Sequence, residues 1–153
     1  MLCGDRLPAR ERTPAVRVTP TARQQERTYL CPAEAPLTVL GGRWKLLIGF
    51  FLLQRPRRNS ELRRLMPPVS QKMLTQQLRE LEADGIVVRT VHDQVPPKVE
   101  YSIAEGERAR LEPLVRALVD WGTSWLRDTG GRLEPGERQP GSAAGPGAPG
   151  EPT

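Results

Sequence analysis

Histidine occurs once in the 153 residues, at His92, and cysteine twice, at Cys3 and Cys31. One histidine and two distant thiols do not make a metal site, and two cysteines are too few for a disulfide framework. Free thiols fit a reducing cytoplasm. No GxSxG, P-loop or Cys-x-x-Cys pattern is present, and His92 has no predictable carboxylate or cysteine partner. The expectation is a protein that is not an enzyme and takes no cofactor and no metal. Long apolar runs are missing too. The longest, residues 46–53, falls far short of the roughly 20 residues that span a bilayer. The opening MLCGDRLPARERTP has no apolar segment of the kind a secretion signal needs, so a cytoplasmic protein without membrane contact is expected.

Lysine is scarce but positive charge is not. Of 23 basic residues only Lys45, Lys72 and Lys98 are lysine, and the net charge is +5. That balance favours an anionic partner, nucleic acid above all, over the plainer possibility of a soluble basic surface. Hydrophobic residues make up 37% and aromatics 5%, so a packed core must occupy only part of the chain. Residues 1–28 are rich in Arg, Pro and Thr without any period, and read as a disordered basic arm. In residues 130–153, 12 of 24 are Gly or Pro, which reads as a second disordered tail. The folded domain is expected over residues 29–129.

Within that domain the pattern alternates clearly. A first helix is expected from about Cys31, loosened at Gly41 and Gly42 and continuing to Gln54, with Trp44, Leu47, Ile48, Phe51 and Leu52 as its apolar stripe. A short helix follows, capped by Asn59 or Ser60, with Leu62 and Leu65 facing inward. Ser70 caps the next helix and Gly85 stops it; Leu74, Leu78 and Leu81 share one face. Two β-rich runs, IVVRTV and KVEYSI, form a hairpin around HDQVPP, and a last helix spans residues 105–127. Helix, short helix, tight turn, polar-faced helix, hairpin, helix is the order of a winged helix-turn-helix, an α+β fold that is mainly α.

The stretches CPAEAPLTVLGGRWKLLI, SELRRLMPPVSQKMLTQQLRELEADGIVVRT, VPPKVEYSI and LVDWG resemble the HxlR-type branch of the MarR-like bacterial transcription regulators. The resemblance covers residues 31–125 and neither tail. It implies a homodimeric DNA-binding winged helix, more often a repressor than an activator. The chain departs from the family pattern at Asn59, where Phe is usual, at Gly49, where a large apolar residue is common, and at SIAEGERARL, which lacks the usual Thr cap at Ala104.

The residues of the 70–84 helix suit base reading. Gln71, Lys72, Thr75, Gln76 and Arg79 lie on its outward face, and glutamine can engage an adenine edge as arginine or lysine engages guanine. Ser70, Arg57, Arg58, Arg63, Arg64, Arg89 and Lys98 are the expected phosphate contacts, the last two flanking the wing tip. Leu111, Leu114, Leu118, Trp121 and Trp125, with Leu37, Leu40 and Trp44, form an apolar stripe larger than this core needs. They are expected at a dimer contact that would let two heads read an inverted repeat. Cys31 precedes Pro32 near a helix start, where a thiol tends toward thiolate. Some relatives use a cysteine at this position to sense oxidants or electrophiles, so the resemblance makes Cys31 a candidate sensor. The rival is a winged helix that contacts only other proteins.

Overall fold

The computed structural model describes residues 27–133; the expected arm and tail, apart from their inner ends, and Cys3 lie outside the described residues. The first expected helix is in fact two, α1 (Glu34–Val39) and α2 (Arg43–Gln54). Gly42 divides them at φ 83°, a left-handed backbone that side chains disfavour and a helix cannot pass through. In α2, Ile48 and Leu52 are fully buried while Trp44, Leu47 and Phe51 are half-buried around them. Gly49 is buried against the last helix, and a methyl group there would meet Leu111 Cδ2 at 3.6 Å. A methyl group would therefore sit there in ordinary van der Waals contact with the last helix.

α3 (Asn59–Leu65) buries Leu62, and its N-cap is Arg58 rather than Asn59 or Ser60. The Glu61 carboxylate closes that end by accepting from the Arg58 backbone N–H at 2.7 Å. Met66 and Val69 are buried beneath the short turn that follows, so the turn is fixed by packing as well as by its prolines. α4 (Gln71–Ala83) starts as expected, with Ser70 Oγ accepting from Met73 N at 3.1 Å, and stops before Gly85 at φ 75°. Leu74, Leu78 and Leu81 are buried on its inner face.

β1 (Val87–His92) and β2 (Lys98–Ile103) pair antiparallel, with Val87 opposite Ile103, Arg89 opposite Tyr101 and His92 opposite Lys98. Buried Val87 and Ile103 anchor the hairpin base to the core, and residues 93–97 form the exposed tip. α5 (Glu105–Thr129) runs two residues beyond the expected end and is closed by Gly130 at φ 72°. The architecture is a winged helix-turn-helix with a two-stranded wing and a long C-terminal helix.

Arg57 corrects the sequence reading. It is only 7% exposed, so it cannot serve as one of the expected phosphate contacts. Its backbone pairs with Tyr101 of β2 through bonds of 2.8 and 2.9 Å, extending the wing by one bridge. Its guanidinium closes the end of α2, donating to the Phe51 carbonyl at 3.2 Å and to Gln54 Oε1 at 3.0 Å. Helix ends leave carbonyls without intrahelical donors, and here a buried arginine supplies one. Arg57→Ala is expected to lower the unfolding free energy by about 1–3 kcal/mol, because it strands those acceptors. A urea midpoint shift would register this; an unchanged midpoint would show that solvent replaces the guanidinium freely.

Candidate nucleic-acid interface

The leucines of α4 fix its rotation, and rotation decides which polar groups face out. With Leu74, Leu78 and Leu81 in the core, Lys72, Gln76 and Arg79 lie on the opposite side and are exposed. Gln71 is exposed in the first turn, and Thr75 is half-buried on the flank that faces α3. Gln71 Nε2 donates to Asn59 Oδ1 of α3 at 2.8 Å and lies 3.4 Å from Thr75 Oγ1. Asn59, read in the sequence as a possible helix cap and as a departure from the usual Phe, therefore links the two helices of the turn. Ser70 stands at the exposed start of α4, beside first-turn N–H groups that have no acceptor within the helix.

The acids of α4 are not a uniform solvated face. Glu80 Oε2 accepts from Lys45 Nζ of α2 at 2.6 Å. Asp84 is buried and lies 3.4 Å from Arg27. Of the three, only Glu82 is exposed. Gln76 Nε2 donates to Glu80 Oε1 at 2.9 Å. The Gln76–Glu80 spacing of one helical turn is legible in the sequence; the Lys45 partner is not.

A basic rim surrounds the helix. Arg58, Arg63 and Arg64 are exposed on or beside α3, and Arg89 is exposed on the wing. One open depression runs between α3 and the start of α4, lined by Asn59, Ser60, Arg63, Arg64 and Gln71. A second lies between α3 and the wing, where Arg58, Arg64 and Lys98 meet Glu61 and Glu100. Arg55, not among the expected contacts, also lines it and pairs with Glu61 at 2.8 Å. The Arg58 backbone N–H, aided by Arg55, holds the Glu61 carboxyl below its usual value.

Lys98 is half-buried and donates to Glu100 Oε1 at 2.8 Å. The other oxygen of Glu100 lies 2.7 Å from His92 Nε2, so His92 does have a carboxylate partner. The hairpin register supplies it, which is why local sequence did not reveal it. Lys98, and to a lesser degree His92, hold the Glu100 carboxyl below its usual value. No group of three potential metal ligands occurs among the described residues.

The apolar stripe divides in two. Leu40 and Leu111 are buried in this chain's own core, at 8% and 4% exposure, which removes them from the expected dimer contact. Trp44 and Leu114 are half-buried around that core. Leu37, Leu118, Trp121 and Trp125 remain exposed, and the two indoles stack with centroids 6.1 Å apart and planes at 18°. Cys31 is half-buried and lies three residues before α1, outside the helix start assigned to it from sequence.

Known proteins share this arrangement. The family model of the HxlR-like helix-turn-helix matches residues 39–129. The HTH-type transcriptional regulator YtcD of Bacillus subtilis (strain 168) is 50% identical over 102 residues, covering 67% of this chain and 80% of the relative. The redox regulator HypR in its reduced form superposes with a TM-score of 0.60 at 51% identity, over 64% of this chain and 95% of that one. The reduced form of the regulator YodB from B. subtilis gives a TM-score of 0.54 at 36% identity, over 61% and 91%. No helix among the described residues is long and apolar enough to cross a membrane. The chain belongs to the HxlR-like helix-turn-helix family and is a DNA-binding transcriptional regulator of the MarR-like, winged-helix kind.

Proposed function

We propose that the protein is a homodimeric, sequence-specific repressor that acts in the cytoplasm on an inverted repeat, with α4 as recognition helix. The observation that carries this is the acid-free outward face of Lys72, Gln76 and Arg79, with Gln71 and Thr75 beside it, ringed by Arg58, Arg63, Arg64 and Arg89. That pattern offers donors to base edges at the centre and cations to phosphates at the rim. Ser70 and the first-turn N–H groups of α4 supply a neutral phosphate contact, and Lys98 exchanges Glu100 for a phosphate. One head reads a half-site, and a dimer places the second about one helical turn away or a multiple of it.

Fluorescence anisotropy with the intergenic DNA beside the gene tests the proposal. Saturable binding is expected to weaken steeply with salt, each neutralised phosphate adding about −0.9 to the log–log slope. A rival role in protein contact alone predicts no sequence preference at about 100 mM salt, where specific sites remain measurable. Reporter transcription that rises on deleting the gene supports repression; a fall assigns activation.

The same proposal includes an oxidant or electrophile response through Cys31. Its support is the company the chain keeps: HypR is a redox regulator described in oxidized and reduced forms, and YodB has been described after diamide treatment. Cys31 lies just before α1, so a covalent change there acts on the segment leading into α2 and the reading head. DNA binding by the wild type is expected to change several-fold after diamide or methylglyoxal, and Cys31→Ser to abolish the change. An equal response in both proteins rules Cys31 out.

A further inference from the structure

Three side chains in line join the core to the exposed face of α4. Lys45, buried in the first turn of α2, donates to Glu80 Oε2 at 2.6 Å, and Glu80 Oε1 accepts from Gln76 Nε2 at 2.9 Å. A carboxylate beside an ammonium group has only lone pairs to offer, so Gln76 turns its amide nitrogen toward Glu80. The carbonyl Oε1 and the second N–H are then left for the groove. Gln71 is not fixed in this way. Its partner Asn59 is itself an amide, and exchanging the ends of both groups leaves an equivalent bond.

We propose that Glu80, held by Lys45, is a positioning residue for base readout that orients the Gln76 amide to select adenine. The inference rests on α4 being the recognition helix. Adenine presents an N6–H donor and the N7 acceptor side by side in the major groove. The oriented Oε1 accepts from N6, and the remaining Nε2–H donates to N7. Guanine presents acceptors at both O6 and N7, and thymine an acceptor at O4, so either sets oxygen against oxygen. Cytosine offers its N4–H alone and makes one bond instead of two. Glu80 thus shapes specificity through Gln76.

The test is selection of sites from a randomised duplex pool with the full-length protein, then titration of every single-base variant of the selected site. The wild type is expected to enrich adenine at one position in each half-site, favoured over guanine by on the order of tenfold. Gln76→Ala levels that position and so identifies it. Glu80→Gln gives Gln76 a neighbour that can donate as well as accept. The adenine preference is then expected to fall to about twofold, while the other positions and the salt slope stay as they were. Lys45→Met/Glu80→Gln leaves no ammonium group unpaired, and carries the same expectation if the single variant does not fold.

Equal discrimination by the wild type and the Glu80 variants overturns the proposal, as does a preference for guanine or thymine at the Gln76-dependent position. A pool from which the wild type enriches no sequence overturns the recognition-helix reading beneath it. That outcome is distinct from enrichment with the wrong base.

Discussion

Lys72→Ala combined with Gln76→Ala is expected to weaken binding to the selected site by about two to four orders of magnitude for each reading head, since each good base contact discriminates by roughly 1–3 kcal/mol. Both side chains lie opposite the buried leucines of α4 and are exposed, so truncating them opens no cavity. Alanine is also the best helix former, and α4 should keep its length. The melting temperature is therefore expected to stay within a few degrees of wild type while specific binding collapses. Binding to a scrambled duplex separates base reading from charge. There the loss of Lys72 removes at most one phosphate contact per protomer and reduces the salt slope by about 1 for each. Anisotropy on both duplexes measures the difference. An equal loss on the two would mean that α4 supplies only charge, and that any sequence preference arises from DNA shape or from another element.

The face tested by that variant was legible because it is local. Leu74, Leu78 and Leu81 announce their common side by spacing, Ser70 and Gly85 announce the ends, and the outward residues follow by rotation. What the sequence concealed depends on pairing between distant segments. Arg57 looks like one more arginine in a basic run, and only its bridge to Tyr101, 44 residues away, shows it to be buried. His92 gains its carboxylate through the hairpin register, and Lys45 finds Glu80 through the crossing of α2 and α4. The sequence also reads as one helix through Gly41 and Gly42, poor helix formers that only loosen it on paper, where Gly42 in fact breaks it. A pair of glycines can loosen a helix or end it, and the positive φ that decides between these is a tertiary result.

The same limit governs the stripe on α5. Periodicity alone treats Leu111, Leu114, Leu118, Trp121 and Trp125 as one apolar face. Which part of that face belongs to the monomer depends on where α2 crosses it. Leu111 and Val115 are buried in the core, Leu111 beside Gly49, whereas Trp121 and Trp125 are exposed and outside it. Of the residues in that stripe, only Leu37 and those in the distal half of the helix stay exposed.

Trp121→Glu combined with Trp125→Glu is expected to convert the proposed dimer to a monomer and to weaken binding to a full inverted repeat by about 10²–10⁴-fold. Two stacked indoles at 66% and 51% exposure, with Leu118 beside them, form an apolar patch that a soluble surface does not ordinarily leave open. Tryptophan carries one of the largest apolar areas of any side chain and is enriched where interfaces carry their energy. Four carboxylates introduced across a symmetric contact would have to be desolvated against one another, which opposes association strongly. Neither indole contributes to the buried core of the single chain, so the helical circular dichroism spectrum is expected to be retained. Sedimentation equilibrium would then report a monomer. On DNA, the second head of the proposed dimer would bind as a tethered partner at an effective concentration near millimolar, and the monomer is expected to lose that advantage while keeping its affinity for an isolated half-site. A variant that stays dimeric and binds the full repeat as before would place the dimer contact elsewhere. A variant that loses half-site binding as well would mean that the distal part of α5 supports the reading head directly.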